Sequence, residues 1–367
     1  MNKNKKITNP QILTISAWLV IATIIVAVLS LADSLLIPLF FAILIWYLFN
    51  TVVFSLGQID IKGFTLPRWV RLILTLVIFG FIFNTVAGII ATSVSSIIRV
   101  APQYQANLEK MLAGLETILM DLPYGIEIEE VPALSQMISG INISGLIQSI
   151  ARELAGLMGN IGLVIIYLIF LFLEQRYFSN KIKMVARRSS RKKMIDNILS
   201  QIDRDIKRYV GVKSLLSFIT SMGAWILMTW VGLDFAGFWA LLIFILNFIP
   251  HLGSIGATTM PALLALLQFD TFKPFFIILV GVFVLQFGIG NLLDPALMGK
   301  SLNVSPLVII FSLLFWGSIW GPPGMFLSVP VTVILMIILN NFENTRWVAR
   351  VLSRDGNLKN LHTSKQK

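Results

Sequence analysis

Long uninterrupted blocks of apolar residues constrain this chain more than any other feature of its sequence. A helix needs about 20 apolar residues to cross the hydrocarbon core of a bilayer. Hydrophobic residues make up 56% of the 367 residues and charged residues only 13%, whereas about a quarter of a soluble domain is charged. The sequence therefore predicts an all-α, polytopic integral membrane protein that forms a single domain over residues 1–367. The first five predicted spans are Ile12 to Ala32, Leu35 to Leu56, Leu72 to Ala91, Leu157 to Leu173 and Ser214 to Leu233.

The first apolar block is interpreted as a retained span. It follows Lys3, Lys5 and Lys6, and it is longer than the 7 to 15 apolar residues of a secretory signal. Only Asp33 and Ser34 separate it from the second block, which predicts a tight helical hairpin.

The basic residues indicate the orientation of these spans. The chain carries a net charge of +11, and its Lys and Arg residues are concentrated in short connectors between apolar blocks. Such connectors normally face the cytoplasm, so we expect the N-terminus, the connector 179–213 and the tail 340–367 to be cytoplasmic. The densest cluster is interpreted as a topology signal, with anionic-lipid binding as the alternative; it comprises Arg187, Arg188, Arg191, Lys192 and Lys193.

Residues 93–156 form the one sizeable acidic region and are expected to face outward as a helical extracytoplasmic insertion. An apolar face repeats at helical spacing in its first half, and a second helix, Leu134 to Leu154, is expected to fold back on it. A contact between subunits is the alternative use of this face. Its members are Tyr104, Leu108, Met111, Leu115 and Ile118.

The connector 179–213 also contains a regular apolar stripe, with charged residues on the other faces. This pattern predicts an amphipathic helix that lies along the membrane surface. The stripe consists of Met194, Ile198, Ile202, Ile206 and Tyr209.

Residues 235–339 contain two apolar stretches that are too long for one straight span and are interrupted by Gly and Pro. They flank an intact block, Phe275 to Leu293. Non-helical backbone survives at membrane depth only where protein or a wet cavity satisfies it, and paired interruptions of this kind are typical of transporter binding sites. We therefore expect a polar pathway at the breaks. Its candidate residues are Asn247, Pro250, Gly253, Gly256, Pro261, Gly317, Gly321, Gly324 and Pro330.

Two conformations are open for each interrupted stretch, a discontinuous span or a re-entrant hairpin. About eight membrane helices are expected by default. Changing both stretches from spans to hairpins changes the number of crossings by two, so both termini stay on the same side.

Four polar residues near the breaks are candidates for coupling or substrate binding: Asp294, Asn291, Gln286 and His251. Asp294 precedes Pro295 at the end of the intact block, and an intramembrane acid is a functional hypothesis by default. The alternative is that Asp294 marks the membrane boundary. The chain contains no cysteine, which excludes thiolate chemistry and cysteine metal sites, and we predict neither a metal nor a cofactor.

The order and spacing of these motifs resemble the autoinducer-2 exporter (AI-2E) family of transporters. The resemblance is carried by Asn247-Phe248-Ile249-Pro250 with Gly253 and Gly256, by Asn291 to Pro295 with Gly299, and by Pro306, Gly317, Gly321, Gly324 and Pro330. It implies a multi-pass protein of the bacterial cytoplasmic (inner) membrane with cytoplasmic termini. It also implies a homo-oligomer, plausibly a pentamer, without enzyme activity.

The sequence leaves three functional hypotheses. The first is a secondary transporter, permease or exporter of a small polar solute, with the direction of transport left open. The resemblance suggests the quorum-sensing signal autoinducer-2 as one such solute. The second is a Na⁺(Li⁺)/H⁺ antiporter, and the third is a nontransporting membrane scaffold. An enzyme is disfavoured, because Gly253-Ser254-Ile255-Gly256 matches the Gly-x-Ser-x-Gly motif only in part. No Walker loop occurs, so a nucleotide-driven pump is also disfavoured.

Overall fold

The structure is a computed structural model that describes residues 10–58, 60–61, 64–120, 145, 159, 161–185, 189–298 and 303–356. Helices dominate it, together with one two-residue antiparallel ladder between Asp60–Ile61 and Phe64–Thr65. The predicted all-α class is confirmed. The helices are α1 Pro10–Leu31, α2 Asp33–Gly57, α3 Arg68–Met120, α4 Ile161–Val185, α5 Ser189–Val231, α6 Ala236–Leu246, α7 Leu252–Gln268, α8 Phe272–Gly288, a π-helix Ile289–Leu293, α9 Asp294–Met298, α10 Pro306–Asn341 and α11 Arg346–Leu352.

Five of the described helices are long and apolar enough to cross a membrane by length and composition. Large apolar side chains on these helices face outward, such as Phe81 on α3 and Trp230 on α5, which are 71% and 76% exposed. Lipid tails, rather than water, suit such a surface. The polytopic character predicted from the apolar blocks is therefore confirmed. The five helical ranges are Asp33–Gly57, Arg68–Met111, Met194–Val231, Phe272–Leu297 and Pro306–Asn341.

A single residue, Ala32, separates α1 from α2, and the tight hairpin expected between the first two spans stays a prediction. Phe49 then joins α2 to two further helices. Its ring centroid lies 5.3 Å from that of Phe79 on α3 and 4.9 Å from that of Phe172 on α4. Contacts of this kind between helix faces hold the bundle together, since lipid tails supply no hydrophobic drive between helices.

Helix α3 extends well beyond the predicted span and includes the first part of the predicted insertion. It runs without a break to Met120 and contains Pro102. Tyr104, the first residue of the predicted apolar face, is buried. The predicted fold-back helix, Leu134 to Leu154, lies outside the described residues.

Helix α5 contains the predicted amphipathic stripe, but the expectation that this stripe lies along the membrane surface is wrong. Ile198, Ile206 and Tyr209 are buried against residues of α2 and α10, including Tyr47 and Met336. The apolar face is buried by protein, so no membrane surface is needed to cover it. The stripe and the fifth span belong to one helix of 43 residues.

The core consists of two clusters, one around each of the interrupted stretches. Around α6 and α7 it includes Ala224 of α5, Ile243 of α6 and Ile278 of α8. Around α10 it includes Tyr47 of α2 and Ile206 of α5. The two interrupted stretches are thus the two centres about which the other helices pack.

Candidate transport site at two helical hairpins

The first interrupted stretch, residues 235–268, is a hairpin that returns to its starting side; we call it hairpin 1. Its two ends are hydrogen-bonded at one place: the Asp234 amide donates to Gln268 Oε1 at 2.7 Å, and Gln268 Nε2 donates to the Gly232 carbonyl at 2.9 Å. Helix α6 has 11 residues and spans only about 16 Å at the rise of an α-helix. That length reaches about half-way across a hydrocarbon core.

The tip of hairpin 1 needs both an unusual backbone conformation and a glycine. His251 has φ 59° and ψ −60°, a region that non-glycine residues rarely adopt. Two residues later, a Cβ at Gly253 would overlap the Leu246 carbonyl oxygen. Only glycine allows α7 to start this close to the end of α6.

The second interrupted stretch, residues 306–341, is also a hairpin; we call it hairpin 2. Helix α10 breaks at Gly321, where φ is 62° and ψ is −145°. Its two arms then lie side by side, because Ser312 Oγ donates to the Ser328 carbonyl at 3.1 Å and also contacts Thr332 Oγ1. These three residues are buried.

The tip of hairpin 2 repeats the construction of the first tip. A Cβ at Gly324 would overlap the Trp316 carbonyl oxygen, just as one at Gly253 would overlap that of Leu246. In both hairpins a glycine at the start of the second arm packs against a carbonyl at the end of the first. The sequence predicted the breaks, and the contacts show that both stretches are hairpins rather than discontinuous spans.

The two hairpins enter the bundle from opposite ends. Helices α5 and α8 are antiparallel, since Gly223 contacts Leu285 while Lys213 Nζ lies 3.3 Å from Asp294 Oδ2. Hairpin 1 starts at the end of this pair marked by Asp234, which we call the Asp234 end. Hairpin 2 starts at the other, the Asp294 end, where Met194 and Ile202 of α5 pack against the cluster that contains its second arm.

The hairpin tips meet inside the bundle. Phe248 of hairpin 1 stacks on Phe326 of hairpin 2, with ring centroids 4.6 Å apart and planes inclined by 24°. Each tip brings the C-terminus of one helix and the N-terminus of the next to the same place. Free carbonyl and amide groups of helix termini can hold ions or polar groups, so the meeting point is the best candidate for a solute site.

Several polar side chains on the surrounding helices lie at the depth of the tips, and sequence reasoning missed most of them. Ser221 precedes Asp234 by 13 residues and Asn247 follows it by 13 residues. Because α5 and α6 are antiparallel, these two side chains lie at the same depth. Ser217 and Thr220 are also buried. Within the described part of the chain, Ser217 Oγ and Gln286 Nε2 are buried without a hydrogen-bond partner, which makes both available to a solute or to water. The helical spacing of the α5 hydroxyls is the signal that could have identified them.

Most of the predicted pathway residues lie at or beside the two tips. Pro250, Gly253, Gly321 and Gly324 form the breaks, and Asn247 is the last residue before the break in hairpin 1. Gly256 and Gly317 lie within a turn of the breaks, while Pro261 and Pro330 are buried farther along the second arms.

The coupling candidates are divided between two places. Gln286 and His251 lie at the depth of the tips, but Asp294 follows Gln286 by 8 residues, about 12 Å farther from the Asp234 end. Asp294 is therefore at the Asp294 end, where α9 begins, and it pairs there with Lys213. Asn291 Nδ2 donates to the Phe287 carbonyl at 3.1 Å in its own helix.

The other chemical candidates gain less support. Ser254 Oγ donates to the His251 carbonyl at 2.8 Å, so this hydroxyl is bonded to backbone rather than to an imidazole. The described residues contain no cluster of three acids or histidines that could hold a metal. Arg187 and Arg188 lie outside the described residues, and the side chains of Arg191, Lys192 and Lys193 do as well, although their backbone belongs to α5.

Two opposed, Gly-dependent hairpins inside a polytopic helical bundle are typical of membrane transport proteins. The sequence comparisons then give the family. The family model described as AI-2E family transporter matches residues 16–344, and the chain therefore belongs to the AI-2E family.

Relatives of this chain include a "Putative transport protein" of Haemophilus influenzae, 28% identical over 90% of this chain and 93% of the relative. The "AI-2 transport protein TqsA" of Escherichia coli is 27% identical over 90% of this chain and 92% of its own. "Putative transport protein YrrI" of Bacillus subtilis is 27% identical over 90% and 89%. The predicted family is confirmed.

Proposed function

We propose that the protein is a secondary transporter or permease that carries a small polar solute along a path between the tips of hairpins 1 and 2. The contact between Phe248 and Phe326 carries this proposal, because it places two interrupted helices against each other within the apolar bundle. Backbone groups freed at two adjoining breaks are stabilised when a polar solute or water reaches them.

The polar groups at this depth favour an uncharged, oxygen-rich solute. Gln286 Nε2 is a donor without a partner in the described residues, and Ser217 Oγ can both donate and accept. The named α5 residues and Gln286 contribute hydroxyls and an amide but no carboxylate. The relative named as an AI-2 transport protein makes autoinducer-2 the first solute to test.

A Na⁺(Li⁺)/H⁺ antiporter is the closest rival. It would use Asp294 as its coupling carboxylate, but Asp294 already has a cationic partner, Lys213. A cation would have to displace that ammonium group before it could bind, so the pairing gives this candidate less support.

The proposed orientation places the Asp294 end in the cytoplasm of a bacterial cell, with the protein in the inner membrane. Exposed Arg204, Arg208 and Arg350 lie at this end, whereas the other end has exposed Asp234 and Asp270 with the exposed lysine Lys273. This distribution agrees with the excess of basic residues on cytoplasmic surfaces. Both termini are then cytoplasmic, and assembly as a homo-oligomer, such as a pentamer, belongs to the same proposal.

Flux into vesicles tests the proposal directly. Purified protein in liposomes is offered autoinducer-2, neutral polyols, Na⁺ and Li⁺, each with the imposed proton gradient on and off. We expect protein-dependent flux of a neutral solute. Cation exchange without solute flux would replace the proposal by the antiporter, and binding of partner proteins without any flux would favour a scaffold.

A further inference from the structure

The short helix α11 presents an outward face that no described element covers. Its inner face is firmly packed: Ala349 is fully buried and Leu352 contacts the core around hairpin 2. On the outward face, Trp347 and Val351 are 66% and 69% exposed. Residues four apart share one face of a helix, so these two side chains form a single apolar stripe.

A basic stripe runs beside the apolar one. Arg346 and Arg350 are exposed one position before Trp347 and Val351, and exposed Arg354 follows the helix. None of these arginines forms an ion pair with an acid in the described ranges; Arg346 Nε donates to the Asn340 carbonyl at 3.1 Å. The nearby acids in the sequence are Glu343 and Asp355. Three arginines against two acids leave a net positive charge on this surface.

Helix α11 also connects the two arms of hairpin 2. After α11, Ser353 pairs with Val304, and the Arg354 amide donates to the Asn303 carbonyl at 3.1 Å, at the start of the first arm. Before α11, Thr345 Oγ1 donates to the Leu339 carbonyl at 2.9 Å, at the end of the second arm. The residues on both sides of α11 are thus hydrogen-bonded to the base of this hairpin.

We propose that α11 rests on a headgroup layer of anionic phospholipid and thereby anchors the base of hairpin 2 to the membrane surface. It follows the apolar helix α10 after only four residues, so it lies where a membrane-spanning arm ends. An apolar stripe beside a basic stripe suits the interface plane, and Trp is favoured there. Each arginine near an anionic surface contributes about fivefold to binding.

The chain has no cysteine, so one introduced cysteine gives a unique labelling site. Val351→Cys, carrying a nitroxide, is reconstituted in phosphatidylcholine vesicles with and without about 30% phosphatidylglycerol, an anionic lipid. We expect collisions with a water-soluble relaxation agent to fall several-fold when phosphatidylglycerol is present. The same label at Asp270→Cys, in the turn at the Asp234 end, should not respond.

Charge dependence distinguishes lipid binding from burial of the α11 face by protein. With Arg346→Gln, Arg350→Gln and Arg354→Gln combined, or with the unsubstituted arginines in about 1 M salt, which screens exposed charges, protection should return to the phosphatidylcholine level. Equal collision rates in the two lipid mixtures would overturn the proposal. Dipolar broadening between labels would also overturn it, because a second copy of the chain would then cover the face.

Discussion

Lys213 Nζ lies 3.3 Å from Asp294 Oδ2 and joins the middle of α5 to the first residue of α9, 81 positions later in the chain. Both side chains are about three-quarters buried. A π-helix, Ile289–Leu293, immediately precedes Asp294. Such π-helical turns are frequent at functional sites, but the ion pair also accounts for a carboxylate at this position, because it fixes α8 against α5.

The Lys213–Asp294 pair predicts a characteristic pattern of stability. Lys213→Gln or Asp294→Asn leaves one charge without its partner, and each should cost about 1–2 kcal/mol, between the values for surface and buried pairs. The double substitution should cost less than the two singles together. Thermal unfolding in detergent measures all three variants, and strictly additive losses would show that the pair does not interact.

The same substitutions discriminate between the two transport hypotheses. If Asp294 holds the bundle together, Asp294→Asn should keep most of the solute flux in the fraction of protein that is folded. If Asp294 couples cations, this variant should abolish pH-dependent Na⁺ or Li⁺ exchange while folding persists. Flux normalised to folded protein is the deciding measurement, and the second outcome would support the antiporter.

The glycines at the hairpin tips predict a localised loss of flux. Gly253→Ala and Gly324→Ala each place a Cβ against a backbone carbonyl of the opposite arm, which must displace the tip. We expect each variant to lose about 1–3 kcal/mol of stability through overpacking and to lose most of its flux through the displaced tip. Gly80→Ala in α3 is the matched control, because a Cβ there meets nothing within 4 Å. Unchanged flux in well-folded Gly253→Ala and Gly324→Ala would contradict the proposed path.

The stack between Phe248 and Phe326 predicts energetic coupling between the hairpins. A stacked aromatic pair contributes about 0.5–1.5 kcal/mol beyond its buried area. Phe248→Leu and Phe326→Leu should therefore affect stability non-additively in a double-mutant cycle. Phe311 and Phe315, which stack within the first arm of α10, provide a control pair that does not join the two tips. A coupling energy near zero between Phe248 and Phe326 would argue against contact of the tips.

Two hydrogen bonds from α3 are expected to stabilise the base of hairpin 1. Tyr104 Oη donates to Asp234 Oδ2 at 2.8 Å, and Asn107 Nδ2 donates to the Leu267 carbonyl at 2.8 Å. Tyr104→Phe removes one of these bonds and should cost about 0.5–1.5 kcal/mol. Hydrogen exchange of the amides at Asp234 and Phe269 should quicken in this variant. Tyr177→Phe, at a tyrosine that is 56% exposed, should leave those amides unchanged.

Local sequence signals predicted much of the site. Proline and glycine act on the residues next to them, by fixing φ, by removing a donor or by allowing close approach. The breaks around Pro250 and Gly321 could therefore be identified without a structure. The regular spacing of apolar residues from Met194 to Tyr209 also predicted a helix. That spacing cannot distinguish whether lipid or protein buries the apolar face. The neighbours on α2 and hairpin 2 decided that question.

The sequence by itself determined the membrane setting, the helices and the positions of the interruptions, because these follow from hydrophobicity and from backbone preferences that act over a few residues. Only the tertiary structure decided that both interrupted stretches return as hairpins, that Phe248 stacks on Phe326, and that Asp294 forms an ion pair with Lys213. Each of these relationships joins residues that are distant in the chain. Such contacts depend on how whole helices pack, and no local pattern specifies that packing.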